Sequence, residues 1–368
     1  MSELLWPVAS IVAGLITLVF GGEILVRGAS LLALSLRISP LVIGLTVVAF
    51  GTSAPELGVS LQATINGAPD VAIGNVVGSN ICNVLLILGI SALVTPLVVS
   101  RQLIRWDVPL MIAASIALWV FCWDLRISQA EGTIFFLALV LYVFFAVRKS
   151  RQDTAAALIE FAEEMPANNR WTNSRLAQLG LIVAGLVALG FGSNWLVSGA
   201  VTIANMWNIS ELIIGLTIVA VGTSLPEIVT SVIASLRGQR DIAVGNVVGS
   251  NLFNILCVLG LTGIISPGGI PISVEAMEFD IPVMVAVAAI CLPIFFTGSI
   301  ISRSEGAALV FYYAAYTALL ISAQTHPQLS QQFGWILSMI VLPLTLLTIS
   351  ASVLWSCFAL RRAGTSSA

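Results

Sequence analysis

Charge is what this sequence has least of. Its 368 residues include 15 Lys and Arg and 18 Asp and Glu, or 9% charged, where a soluble domain carries about 25%. So few charges cannot cover a water-facing surface, which excludes an ordinary soluble protein. Histidine occurs once, at His326, in a polar stretch where solvation is its expected state. Cysteine occurs five times (Cys82, Cys122, Cys257, Cys291, Cys357), with no C-x-x-C pair and no zinc-like spacing to the one histidine. That pattern predicts buried free thiols and gives no resident metal or redox cofactor. A net charge of -3 and the lack of a basic cluster exclude a nucleic-acid surface. No Lys or Arg precedes the first apolar stretch, so the basic leader of a cleavable signal is missing and a retained first helix is expected.

What is present is apolar: 58% hydrophobic residues and a mean hydropathy of +1.04. A spanning helix needs about 20 mostly apolar residues. Runs of that kind lie near 5–27, 39–65, 71–94, 104–123, 131–148, 177–202, 210–235, 242–265, 279–297, 304–322 and 334–359. The clearly polar connection at 149–175 reads as a cytoplasmic linker. It divides a first five-helix half (1–148) from a second (176–322), with an extra helix and tail at 323–368. Lys and Arg collect on the cytoplasmic side of membrane proteins. Threading the eleven spans with the N-terminus outside puts 14 of the 15 basic residues at inner ends and leaves Arg126 outside. The C-terminus is then cytoplasmic. The expected fold is an all-α polytopic membrane protein in a plasma membrane, the inner one in a bacterium.

The two halves repeat each other. Residues 44–83 (GLTVVAFGTSAPELGVSLQATINGAPDVAIGNVVGSNICN) align without a gap to 215–254 (GLTIVAVGTSLPEIVTSVIASLRGQRDIAVGNVVGSNLFN), at an offset of 171 and with 23 of 40 identities. Amphipathic patterning alone does not give that; duplication does. Trp106-Asp107-Val108-Pro109 echoes Phe279-Asp280-Ile281-Pro282, and Glu131-Gly132 echoes Glu305-Gly306. Five spans per half is an odd number, so the copies enter the membrane in opposite senses. Inverted repeats are a common plan of secondary transporters, with the substrate near the midplane where the repeats meet.

Each repeat carries Gly-Thr-Ser-x-Pro-Glu, at Gly51–Glu56 and Gly222–Glu227. Proline removes a helical hydrogen bond to the carbonyl four residues back, freeing that of Gly51 and that of Gly222. A freed carbonyl inside a membrane needs a partner, and a cation is one candidate. An ionised carboxylate at midspan costs about 2.5–3.5 kcal/mol on insertion scales, and two of them, Glu56 and Glu227, repel. A hard cation between them removes both costs. An oxygen-only inventory of carboxylate, hydroxyl, amide and carbonyl suits Ca2+ and Na+, whereas Mg2+ demands tighter octahedral geometry. Zinc and copper favour His and Cys, which are not nearby.

The second repeated block is Gly-Asn-Val-Val-Gly-Ser-Asn, at 74–80 and 245–251, followed by Asn83 and Asn254. Ser79 with Asn83, and Ser250 with Asn254, are i,i+4 pairs that each share a helix face. Glycines four apart in both blocks allow close helix approach. Asn75, Asn80, Asn246 and Asn251 fit either interhelical hydrogen bonding or ion binding. Elsewhere, Glu23 and Arg27 are spaced as an ion pair, and Asp70 and Asp241 as helix caps. Asp107, Asp280, Glu131 and Glu305 stand where helix dipoles favour acids.

These doubled blocks resemble the alpha-repeats of the sodium/calcium exchanger family, within the calcium/cation antiporter superfamily, and the resemblance covers about 8–322. It implies ten core transmembrane helices in an inverted repeat, with four ion sites around two glutamates. By motif position the implied ligands are Thr52, Ser53, Glu56, Ser79 and Asn83 from one half. The other half gives Thr223, Ser224, Glu227, Ser250 and Asn254, and the carbonyls of Ala49 and Ala220 join them. Two departures stand out. Many members have Asp at the position of Asn254, whereas both halves here carry Asn, so the two acids balance one Ca2+ or two Na+. A third Na+ leaves an uncompensated charge, which puts three-for-one exchange and any K+ involvement in doubt. The span at 334–359 is the second departure, and it is expected to be peripheral.

The function expected is antiport of Ca2+ against Na+ by a monomeric, non-enzymatic carrier. Ca2+/H+ antiport, with the two glutamates taking protons, and a cation channel are the competing readings.

Overall fold

The computed structural model describes residues 2–67, 69–153, 174–207, 218, 220–326 and 328. Most of the linker at 149–175, the first half of the span at 210–235, the span at 334–359 and Cys357 lie outside them. The chain is mostly helical. In chain order the helices are α1 (Leu4–Leu36), α2 (Pro40–Thr52), α3 (Ala54–Ile65), α4 (Val71–Val94), α5 (Leu103–Asp124) and α6 (Gln129–Ser150). They continue with α7 (Arg175–Met206), α8 (Ala220–Thr223), α9 (Leu225–Leu236), α10 (Arg240–Ile265), α11 (Ala276–Phe296) and α12 (Arg303–Ala323). Eight of the described helices are each long and apolar enough to cross a membrane, and α2 with α3 forms a further span bent by 42°. These match nine of the spans read from the sequence, and α8 with α9 falls in a tenth.

Large apolar side chains on the outer surface, among them Phe20, Phe144, Phe145, Val187 and Phe191, are exposed. Four of the exposed tryptophans sit at helix ends: Trp6 on α1, Trp106 and Trp123 on α5, Trp207 just past α7. That is the arrangement of a lipid-facing belt with aromatic anchors at the interfaces. This is a multi-pass membrane protein.

Contacts recur with the halves exchanged. α1 packs on α7 and α5 on α11, while α4 packs on α12 as α10 packs on α6. Two short antiparallel ribbons join the halves, β1 (Leu97–Val98) with β4 (Ile300–Ile301) and β2 (Arg126–Ile127) with β3 (Ile270–Pro271). The acid-tyrosine contacts match too: Tyr142 donates to Asp107 at 3.1 Å and Tyr316 to Asp280 at 3.2 Å. Such reciprocity follows the duplication seen in the sequence. The two aspartates therefore work one turn inside their helices, tying neighbours together, rather than at the first residue. Glu131 and Glu305 do sit at helix starts. Each accepts from the backbone N–H of the serine three residues earlier (Ser128, Ser302) at 2.7 Å, closing a capping box.

The α1–α7 seam is built from glycine. Gly14, Gly21 and Gly28 on one helix, and Gly185, Gly192 and Gly199 on the other, are each seven residues apart. A Cβ on Gly14 would stand 2.6 Å from the Leu196 nitrogen, and one on Gly192 2.8 Å from the Leu18 nitrogen. The obstacles are backbone and cannot rotate away. Gly192→Val is accordingly expected to destabilise the protein by about 1–3 kcal/mol through overpacking. Thermal denaturation of the purified protein checks this; an unchanged melting temperature contradicts the seam.

Three expectations need correction. Glu23 pairs with Arg237, at 2.6 Å and with a second bond of 3.0 Å from Nε, instead of with Arg27. The packing of α1 on α9 brings Arg237 within reach, and a two-bond guanidinium contact outcompetes a local i,i+4 pair. Asp241 is not a cap: Gln239 holds that position, and Asp241 lies inside the first helical turn. Asp70 likewise falls within a helix that begins at Pro69. Cys82, Cys122, Cys257 and Cys291 are buried free thiols as expected, and His326 is exposed.

Candidate ion-binding site

Two breaks build the site. The helix stops at Ser53 (φ -82°, ψ 5°) and at Ser224 (φ -88°, ψ 5°), and proline follows in the first turn of each new helix. Glu56 and Glu227 thereby stand in the first turns of α3 and α9, where the helix dipole favours an acid. Both are about 1% exposed. The Glu56 carboxyl faces the hydroxyls of Ser79 and Ser224. The Glu227 carboxyl faces Thr52, Ser53 and the charge of Glu56. Ser53 Oγ donates to Glu227 Oε1 at 3.3 Å, so a hydroxyl of one half serves the acid of the other.

Asn83 and Asn254 each open a π turn, Asn83–Ile87 and Asn254–Leu259. Such bulges are often found at functional sites. The amides are used asymmetrically. Asn83 Nδ2 donates to Asn251 Oδ1, and Asn254 Nδ2 to Asn80 Oδ1, both at 3.0 Å. Their own oxygens remain unpartnered. The bonds exchange the two halves reciprocally, and they fix which end of each ligand amide points inward.

The other asparagines brace the broken helices. Asn75 Nδ2 donates to the Glu56 carbonyl at 3.1 Å and to Ser60 Oγ at 3.0 Å. Asn246 Nδ2 does the same for the Glu227 carbonyl at 3.5 Å and Ser231 Oγ at 3.0 Å. Thr52 Oγ1 lies 3.2 Å from Asn246 Oδ1 and 3.4 Å from the Ala49 carbonyl. For Asn75, Asn80, Asn246 and Asn251 the contacts are those of interhelical support. Asn246→Ala strands a buried hydroxyl and a carbonyl, and should cost about 1–3 kcal/mol. Asn75 is only partly buried, so Asn75→Ala should cost less. A melting comparison of the two variants tests the order.

The freed carbonyl of Gly222 is not left for an ion: Ser193 Oγ donates to it at 2.7 Å. The Ala49 carbonyl also accepts the Ser53 N–H at 3.0 Å, within the helical ladder. Ala220 opens α8, and Thr223 is half-buried beside it. Ser193, Asn75, Asn80, Asn246 and Asn251 are thus the supporting residues for which the repeat alone assigned no definite role.

What remains is a set of free acceptors. Among the described residues, eleven buried side-chain atoms lack a hydrogen-bond partner. Six belong to the ligand set read from the motifs: Glu56 Oε2, Glu227 Oε2, Asn83 Oδ1, Asn254 Oδ1, Ser224 Oγ and Ser250 Oγ. Burying such an atom unsatisfied costs about 1–3 kcal/mol, so six of them within the motif-derived set call for a partner. Among the described residues, no group of three or more His, Cys, Asp or Glu is placed to hold a metal ion. The donors are two carboxylates and neutral oxygens, the chemistry of hard monovalent and divalent cations.

Broken apolar helices carrying buried, unpartnered oxygens define a multi-pass membrane protein built to handle cations. The family model described as sodium/calcium exchanger protein matches residues 6–148 and 177–322, and the chain belongs to that family. CaxA of Alkalimonas amylolytica is 40% identical over 85% of this chain and 98% of its own length. The sodium/calcium exchanger MaX1 of Methanosarcina acetivorans is 35% identical over 83% of this chain and 96% of its own. Among solved structures, the sodium-calcium exchanger NCX_Mj soaked with 10 mM Na+ and 10 mM Sr2+ superposes with a TM-score of 0.73 at 31% identity. It covers 86% of this chain and 98% of that one.

Proposed function

We propose that this chain is a secondary antiporter exchanging Ca2+ for Na+ across a plasma membrane, the inner one in a bacterium, by alternating access. The observation that carries the reading is that buried oxygens on Glu56, Glu227, Asn83, Asn254, Ser224 and Ser250, all in the motif-derived ligand set, have no hydrogen-bond partner. Ca2+ takes six to eight oxygens in flexible geometry, and Na+ is served by the same hard donors. Thr52, Ser53, Ser79 and Thr223, with the carbonyls of Ala49 and Ala220, complete the proposed ligand set. The ions are cargo; no resident cofactor or enzymatic step is assigned.

The ten core spans form two inverted halves, 1–148 and 176–322, with a cytoplasmic linker at 149–175 and a peripheral eleventh helix in 323–368. The N-terminus lies outside, and the working unit is one chain. The basic-residue partition supports this orientation, and Lys149 Nζ, 4.5 Å above the Trp106 ring, sits among its cytoplasmic ends.

The test is 45Ca2+ uptake into proteoliposomes. An outward Na+ gradient should drive uptake that a protonophore leaves unchanged. Uptake that follows a pH gradient instead, and collapses with the protonophore, replaces Na+ by H+. Uptake indifferent to both gradients but steered by voltage makes it a channel.

A further inference from the structure

The asparagines of the ligand set stand at the end of two hydrogen-bond chains that begin at sulfur. Asn83 Nδ2 donates to Asn251 Oδ1 at 3.0 Å, and Asn251 Nδ2 donates in turn to Met111 Sδ at 3.4 Å. In the other half Asn254 Nδ2 donates to Asn80 Oδ1 at 3.0 Å, and Asn80 Nδ2 to Met284 Sδ at 3.5 Å. All six side chains are buried. α5 brings Met111 to Asn251 on α10, and α11 brings Met284 to Asn80 on α4. The chain has only seven methionines, yet these two hold matched places, each two residues after the proline of Asp107-Val108-Pro109 or Asp280-Ile281-Pro282.

A carboxamide has a donor end and an acceptor end of nearly equal shape, so packing hardly tells them apart. A thioether accepts and cannot donate. Met111 therefore admits only the nitrogen of Asn251, which turns the Asn251 oxygen toward Asn83. Asn83 must then offer its own nitrogen there, and its oxygen is left facing away, without a partner. The same order of contacts runs from Met284 through Asn80 to Asn254. We propose that Met111 and Met284 are positioning residues of the cation site: their sulfurs fix the polarity of Asn83 and Asn254, so that both present oxygen, and not N–H, to the ion. The proposal rests on the reading of those two asparagines as ligands. The two chains are unequal. Asn80 Nδ2 has a second acceptor, the Asn251 backbone carbonyl at 3.4 Å, whereas Met111 Sδ is the one acceptor of Asn251 Nδ2 among the described residues. Met111 carries the larger share.

Met111→Leu keeps the apolar volume and removes the acceptor. Calorimetric titration of the full chain in detergent with CaCl2 should show the affinity weakened about tenfold, the low end of what an outer partner of a metal ligand contributes. Met284→Leu should lose less. The deciding background is Asn83→Asp, whose carboxylate offers oxygen whichever way it turns. There Met111→Leu should change the affinity by less than about twofold, the scatter of independent sites. A sulfur that only fills space would weaken binding equally in both backgrounds, which overturns the proposal. So does an unchanged affinity in Met111→Leu, or a larger loss in Met284→Leu. Should Met111→Leu not fold, Met284→Leu measured in the wild type and in Asn254→Asp puts the same question to the other half. Ca2+ binding that is indifferent to either sulfur removes only their role, whereas a wild type that binds no Ca2+ removes the reading of the site itself.

Discussion

Glu56→Gln is expected to abolish exchange, lowering Ca2+ uptake by more than about a hundredfold, and Glu227→Gln should do the same. Two unit charges 4 Å apart interact by about 4 kcal/mol at an effective dielectric near 20, and a divalent cargo doubles the stake. Glutamine keeps the size of the side chain and one oxygen, so the change isolates charge. The protein should still fold, because a neutral amide is cheaper to bury than a carboxylate. The two consequences separate in a melting experiment. The ion-free variant should melt no lower than wild type, while the stabilisation that Ca2+ gives the wild type disappears. A Glu56→Gln protein that transports normally removes Glu56 from the site. One that fails to fold assigns the residue a structural role instead.

The second large effect concerns voltage. With Asn at both 83 and 254, the cage holds only two acids, balanced by one Ca2+ in one direction and two Na+ in the other. Exchange is then expected to be electroneutral. In vesicles clamped at different potentials, the Ca2+ ratio at which flux reverses should not move. If a third Na+ travels, one net charge crosses per cycle, worth about 2.3 kcal/mol per 100 mV. The reversal ratio would then shift about fiftyfold over that range, a difference no flux assay misses. Asn254→Asp supplies the missing charge and is the variant in which voltage dependence should emerge.

Much of this was legible from the amino acids because duplication doubles every signal. The Gly-Thr-Ser-x-Pro-Glu pairs located the helix breaks, and the break appears at Ser53 and Ser224 with nearly identical backbone angles. Burial of Glu56 and Glu227 followed from their midspan positions. What the sequence hid is contact across the halves. Nothing local announces that Glu23 will choose Arg237, since their separation of 214 residues is closed only by packing. The same holds for Ser193, whose hydroxyl takes the Gly222 carbonyl from another helix. The repeat also left Asn80 and Asn251 ambiguous, because an asparagine that binds an ion and one that orients its neighbour look alike until the donor is seen. The glycines at intervals of seven on α1 and α7 went unread in the sequence, because only the structure pairs the two helices.

The π turns carry a consequence for the chain's length. Each holds one residue more than an α-helical turn would, a frozen insertion. Deleting a single residue between Asn83 and Ile87 would let the ordinary ladder close. Winding all the same residues as a regular α-helix would instead swing everything beyond by about 100° around the axis of α4, turning Gly89 away from Gly306, whose carbonyl now lies 3.0 Å from where a Gly89 Cβ would stand. The extra residue works as a phase setter, letting one helix present asparagine to the cage and glycine to its neighbour at an angle that regular winding does not offer.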